Sequence, residues 1–228
     1  MMRQFFLIRH GQSLANTKNT RLGDNYVFDG DIPLTEDGIK ECHETGKFLE
    51  KYFKENSINK EDVVVWVSPF LRTEETARII NSYLNIKKVY YDPRISEMDF
   101  GLFDQRDPVD CNNIDKNIYE QIGIRSKSKR GKFYAKRPNG ESPLDVYTRM
   151  STFVDTLYRD NNKINIIVSH GISLRVFTMR TLHYDLEWYY NEDNADNASV
   201  RLICGEPLED KGYIHKGSSE VIDHVYLS

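Results

Sequence analysis

The sequence predicts an α/β protein, a three-layer α/β/α sandwich built on a mostly parallel sheet. Three observations carry this. The runs Phe5–Ile8 and Val63–Val67 are continuously apolar rather than alternating, the pattern of strands covered on both faces, and Ile164–Val168 reads as a further strand. Each run stops at a short polar group, and helix-periodic stretches follow. The chain has 228 residues, enough to bury a sizeable core without disulfides or metals.

The first run ends in Arg9, His10, Gly11, Gln12 and Ser13. Ligands in open α/β sheets bind at the carboxyl ends of strands, so Arg9 and His10 stand where chemistry is expected. Glycines and aspartates between 23 and 31 break any long helix, and 17–33 reads as a loop near the mouth of the site. Thr35 is placed to cap a helix whose first turn carries Glu36 and Asp37, where the helix dipole favours acids. Ile39, Cys42, Gly46, Leu49 and Phe53 follow at helical spacing, so 36–54 is expected to be amphipathic helix, with His43 on its flank.

The second strand, Val63–Val67, leads through Ser68 and Pro69 to Arg72 and then a helix over 73–84. Val89–Tyr91 reads as a short third strand running into Ile95–Gly101. Residues 104–140 are the least regular and include a basic run from Arg125 to Lys132. Such a run is either a solvated segment or a cap over the pocket. Ser142 as N-cap and Pro143 at the first helical position open a helix over 143–160. Ile164–Val168 is the fourth strand, ending at Ser169, His170 and Gly171; helix is expected over 172–183 and again near 185–191. Ser199–Cys204 alternates like an edge strand, and 205–228 carries little pattern. Without repeats or low-complexity linkers, a single domain over 1–228 is the economical organisation, with a cap or insertion at about 104–140.

Composition narrows the functional classes. With 39% apolar and 29% charged residues the chain is ordinary for a globular domain. A formal charge of −4 gives no electrostatic pull towards nucleic acid or anionic membranes. No stretch approaches the roughly 20 apolar residues that cross a bilayer, and the opening run is too short for a secretory signal. Cys42, Cys111 and Cys204 are odd in number and far apart, which points away from a disulfide framework or zinc site and towards a reducing, cytoplasmic setting.

Three strand ends far apart in sequence thus deliver Arg9 and His10, Arg72, and His170. If those strands are parallel neighbours, two arginines, two imidazoles and the backbone amides of Gly11 and Gly171 meet around one point. That set suits a dianionic phosphoryl group, because the guanidinium fork matches phosphate oxygens and keeps its charge. One imidazole can attack phosphorus in line while the cations hold the equatorial oxygens. A lone histidine after a strand is ordinarily structural; two at equivalent strand ends, each followed by glycine and joined by arginine, are not. Neighbouring arginines oppose a divalent cation, no HExxH spacing supplies ligands, and no GxxxxGK[ST] loop is present. No metal and no cofactor are expected.

The stretch Phe6–Ser13 with Asn16 resembles the signature of the histidine phosphatase superfamily, in its phosphoglycerate-mutase-like branch. The resemblance continues through Pro33-Leu34-Thr35 with Gly38, Ser68–Thr73 with Thr76 and Ala77, Ile95–Gly101, Gly140-Glu141-Ser142 and Val168–Gly171. A closer likeness, to a plant and fungal phosphoglycerate-mutase-like or acid-phosphatase-like subgroup, runs through Phe133-Tyr134, Arg137–Ser142, Asp145–Arg149 and Ser169–Arg180. It implies a phosphoglycerate-mutase-like fold with His10 as the nucleophile carrying a phosphohistidine. Arg9, Arg72 and His170 would hold the phosphoryl group, with Asn16 and the Gly171 amide assisting. Glu97, read alone just an acid in a loop, would be the proton donor to the leaving oxygen and then the base for water.

Mutase and phosphatase separate at Asp99 and at the basic run over 125–137, which does not match by register the downstream basic residues of the mutases. Cofactor-dependent mutases carry Glu-Arg-His-Tyr-Gly where this chain has Glu97-Met98-Asp99-Phe100-Gly101, and an acid at 99 would repel a substrate carboxylate. The expectation is therefore a metal-independent phosphomonoester hydrolase acting on a small phosphorylated substrate, a phosphoprotein also being open. Phosphoglycerate mutase and a non-catalytic phospho-ligand binding module are the alternatives.

Overall fold

In a computed structural model, residues 3–17, 28–101, 131–160 and 162–217 are described, with a few positions between 121 and 128. The element order is β1 (Gln4–Arg9), α1 (Glu36–Glu55), β2 (Val63–Val67), α2 (Leu71–Leu84), β3 (Val89–Tyr91), α3 (Pro143–Arg159), β4 (Ile164–Ser169), α4 (Gly171–Leu182), α5 (Leu186–Asn191), β5 (Val200–Gly205) and β6 (Leu208–His215). The described strands make one six-stranded sheet in the order β3-β2-β4-β1-β5-β6. β1, β2, β3 and β4 are mutually parallel where they pair, and β5 and β6 run antiparallel.

The period of two along β1 builds the three layers. Phe5 and Leu7 face α3 and α4, packing with Met150, Phe153, Leu157 and Phe177. Phe6 and Ile8 face the other way, towards Leu49 and Phe53 of α1 and Ile80 and Leu84 of α2. Every residue of β4 is buried, because helices cover the sheet on both sides. Caps fix the helix starts: Thr35 Oγ1 accepts from Gly38 N at 3.0 Å. At α3, Ser142 and Asp145 form a reciprocal capping box with Pro143 inside the first turn.

Two expectations change. The stretch around 199–204 is not an edge strand: β5 lies between β1 and β6, and its first four residues are all buried. β6, from the stretch that carried little pattern, forms the edge, and its alternating intermediate and exposed residues are what a half-solvated strand shows. Helix α2 also starts at Leu71 rather than Thr73, so Arg72 belongs to its first turn. There Thr73 Oγ1 donates to the carbonyls of Ser68 at 2.8 Å and Phe70 at 2.6 Å. Most of the expected insertion at 104–140, the C-terminal stretch beyond 217, and Cys111 lie outside the described residues. The end of the insertion at 131–140 is described, and Phe133 and Ala135 there are buried. No described helix is long and apolar enough to cross a membrane.

Candidate active site

Register brings the three strand ends level. Arg9 pairs with Ser169 across β1 and β4, and Val67 pairs with Val168 across β2 and β4. The residues that leave the sheet are therefore His10, His170 and Ser68, side by side at its carboxyl edge. His10 and His170 rings lie with centroids 5.2 Å apart. Arg9, His10, Arg72 and His170 are all buried, His170 completely.

His10 is held in one tautomer. Its Nδ1 lies 2.7 Å from the carbonyl oxygen of Gly11, an acceptor only, so Nδ1 carries the proton and Nε2 keeps its lone pair. Burial, and then the Arg72 and Arg9 guanidinium groups, hold the imidazole well below the usual histidine range. The turn is clamped against α1 and α2. Gly11 N donates to Thr76 Oγ1 at 3.1 Å. A Cβ at Gly11 would sit 2.6 Å from both Cys42 Sγ and the Gly38 carbonyl, so only glycine lets the loop lie that close. Cys42 itself is buried, and burial pushes its thiol up to about 11.

His170 shares a 2.7 Å hydrogen bond between Nε2 and Ser68 Oγ. With the serine hydroxyl donating, the ring proton sits on Nδ1, which is buried and has no hydrogen-bond partner among the described residues. Its pKa, too, is lowered by burial and then by Arg72 and His10. His170 also precedes α4, whose N-terminal amides favour an anion. Arg72 Nε is likewise buried without a partner among the described residues. Such buried polar atoms suit a ligand that supplies acceptors.

Glu97 lies across the α4 N-terminus: one carboxylate oxygen accepts from Met98 N at 2.9 Å and the other from Ile172 N at 3.4 Å. Burial raises its pKa above the ordinary glutamate value, against the pull of the Met98 amide and the nearby arginines. The sequence-derived residues Arg9, His10, Arg72, Glu97, His170 and Gly171 are thus assembled around this edge of the sheet. Among the described residues no group of three or more metal-type ligands comes together.

Asn16 is set by a contact that sequence reading missed. Its side-chain oxygen accepts from Ser13 N at 3.1 Å and Ser13 Oγ at 3.0 Å. Asn197, buried and 187 positions from His10, donates to the His10 carbonyl at 3.1 Å and to Asn16 Oδ1 at 3.2 Å. With that oxygen committed, the Asn16 amide NH2 is the end left to meet an acceptor. Nothing in the local sequence around 197 signals this role.

Two more residues were silent in sequence. Arg149 uses all five N–H groups: to Glu141 at 2.8 and 2.9 Å, and to the carbonyls of Arg94, Ser96 and Glu97 at 2.7, 2.9 and 3.0 Å. It pins the loop that carries Glu97. Asp29 forks onto Arg72, with oxygens 3.1 and 3.0 Å from its two terminal nitrogens, while the Asp29 carbonyl accepts at 2.6 Å. A carboxylate therefore occupies the guanidinium face that the sequence reading gave to phosphate.

Beside Glu97 a cleft of about 560 Å³ opens between the Phe28–Asp29 turn and the 96–101 loop. Its size suits a small-molecule leaving group.

Comparison with known proteins shows the family and the fold. The model of the histidine phosphatase superfamily (branch 1) matches residues 5–211. Two Arabidopsis thaliana relatives, phosphoglycerate mutase-like proteins AT74 and AT74H, are 29% and 28% identical over 88% and 97% of this chain. The chain covers 64% and 81% of their lengths, respectively. Broad-range acid phosphatase DET1 of Saccharomyces cerevisiae is 32% identical over 51% of this chain and 34% of its own. Among solved structures, the alpha-ribazole phosphatase of Shigella flexneri superposes with a TM-score of 0.70 at 24% identity, covering 88% of this chain and 89% of that one. Mycobacterial glucosyl-3-phosphoglycerate phosphatase gives 0.68 at 19% identity, covering 95% and 100%. These likenesses show the fold, and the family match over most of the chain shows the lineage: the chain belongs to the histidine phosphatase superfamily, branch 1.

Proposed function

We propose that the protein is a metal-independent phosphomonoester hydrolase working through a phosphohistidine on His10. The observation that carries this reading is the state of His10: buried, proton fixed on Nδ1 by the Gly11 carbonyl, and held neutral beside two arginines. Such an imidazole presents a free Nε2 lone pair next to cations that bind phosphoryl oxygens.

In the first half-reaction Nε2 attacks phosphorus and the bond to the leaving oxygen breaks. Arg9, Arg72, His170, the Asn16 amide and the Gly171 amide stabilise charge on the equatorial oxygens. Glu97, whose raised pKa favours the acid form, gives its proton to the leaving oxygen. In the second, the Glu97 carboxylate takes a proton from water as its oxygen attacks phosphorus. The P–N bond breaks, and phosphate and neutral His10 are regenerated.

Hydrolysis is favoured over mutase chemistry by Asp99 beside the cleft, since an acid there opposes the carboxylate of a phosphoglycerate. The names of the relatives are divided on the point, with phosphoglycerate mutase-like and acid phosphatase among them. The test is release of inorganic phosphate from a panel of monoesters with EDTA present, for wild type and His10→Ala. Release by wild type alone is expected; release by the variant at the wild-type rate would overturn the mechanism. A coupled assay interconverting the two monophosphoglycerates would detect the mutase.

A further inference from the structure

The cleft beside Glu97 combines aromatic and carboxylate walls. Phe28, Phe70, Met98 and Phe100 line it together with Asp99 and Arg149. Phe28 and Phe70 rings lie 6.2 Å apart, and 59% of Phe28 is exposed at the rim. Arg149 is the only cation in the described lining, and all five of its N–H groups are already engaged by Glu141 and three carbonyls. Asp99 accepts from Gly101 N at 2.7 Å and makes no ion pair among the described residues. Among the described lining residues, an anionic leaving group entering this cleft meets the Asp99 carboxylate and no guanidinium with an unengaged N–H; Arg137, outside that lining, lies 5.1 Å over the Phe100 ring.

We infer that this cleft is a leaving-group pocket for an uncharged, ring-bearing alcohol, so that the preferred substrates are arylalkyl-type phosphomonoesters rather than esters of hydroxy acids. The inference rests on the hydrolase reading and adds the substrate class to it. Aromatic walls bury a ring by area and by edge or offset stacking, neither of which a three-carbon acid can use. Asp99 adds selection against the wrong partner. A site that discriminates on shape and apolar area alone gives selectivity of about tenfold to a hundredfold.

Two esters whose leaving alcohols are of similar acidity, 2-phenylethyl phosphate and propyl phosphate, isolate the ring; 3-phosphoglycerate isolates the charge. For wild type, kcat/KM is expected to be about tenfold higher for the ring ester than for propyl phosphate, through KM. It is expected to be lower for 3-phosphoglycerate than for propyl phosphate. Phe100→Ala is expected to cut the ring-to-propyl ratio at least about threefold, with residual turnover of propyl phosphate showing that the variant is folded. Asp99→Asn keeps the acceptor for Gly101 N and is expected to raise the 3-phosphoglycerate-to-propyl ratio. Dissociation constants for the two esters, by competition with inorganic phosphate, run alongside. Hydrolysis of both esters with equal kcat/KM, or a ratio unmoved by Phe100→Ala, overturns the pocket and leaves the hydrolase standing. Tighter binding of the ring ester without hydrolysis of either overturns the hydrolase and keeps the pocket. Neither binding nor hydrolysis overturns both.

Discussion

Replacing Asp29 by Ala is expected to tighten binding of inorganic phosphate about tenfold. Arg72 and Asp29 form a forked ion pair, with 4% of the Arg72 side chain and 20% of the Asp29 side chain exposed. An incoming phosphoryl group must displace that carboxylate to reach the same donors. A hydrogen bond to a charged group contributes about 1.5–3 kcal/mol, and partial exposure of Asp29 argues for the lower end, about 1.5 kcal/mol. That difference is about tenfold in a dissociation constant. The substitution leaves Arg72 with the Asp29 carbonyl as its remaining partner on that residue, so the free enzyme should also lose thermal stability. The inhibition constant of phosphate, and melting curves with and without phosphate, measure both effects. The predicted result is tighter phosphate binding, a lower free melting temperature, and a larger rise on adding phosphate. Unchanged or weaker binding would refute the reasoning and show that Asp29 holds Arg72 in place for the ligand instead of occupying it.

Asn197→Ala removes the two side-chain bonds from the segment before β5 to His10 and Asn16, and a loss of kcat of about tenfold with little change in KM is expected from misplacement of the nucleophile. A purely structural role would lower the melting temperature and leave kcat alone. Arg149→Lys replaces a five-donor fork with a point charge, and about 3 kcal/mol of destabilisation is expected. In a chain of this size that is a drop of roughly 6–12 °C, read by thermal melting; an unchanged melting temperature would contradict the role given to Arg149. For pH, His10 must be deprotonated to attack, and its pKa lies below the ordinary 6.5, so activity persists to more acid pH and falls only beneath that lowered value. Glu97 must be protonated to donate, and its pKa lies above the ordinary 4.5, so activity falls as pH rises through that raised value. A bell-shaped kcat/KM profile is expected, with its acid limb below 6.5 and its alkaline limb above 4.5; an acid limb above 6.5 would contradict the assignment of His10.

The parallel half of the fold was legible in sequence because its signals are local and redundant. Val63–Val67 is an unbroken apolar run, and Ile164–Ser169 is buried throughout with Asn165 the one polar residue before Ser169. Thr35 and Ser142 announce their helices by cap chemistry. The antiparallel edge was not legible: β6 alternates weakly through Glu209, Asp210, Lys211 and Gly212, and its place depends on pairing with β5. Arg9, His10, Arg72 and His170 could be found because Arg9 ends β1, His10 and His170 follow β1 and β4 directly, and Arg72 opens the helix after β2, and the topology puts strand ends together. Glu97 needed the family resemblance, since a loop acid carries no period. Asn197, Arg149 and Asp29 act through contacts spanning 187, 52 to 55 and 43 positions, which no local pattern encodes.

The central claim is that the phosphoryl group passes through His10. Wild type and His10→Ala are each mixed with a hydrolysable monoester, quenched under alkaline conditions that preserve phosphoramidates, digested and read by mass spectrometry. The account predicts one added phosphoryl group on the wild-type peptide carrying His10, lost on mild acid treatment, and neither label nor phosphate release in His10→Ala. Phosphate release by wild type with the label on a different residue, or undiminished turnover by His10→Ala, would contradict it.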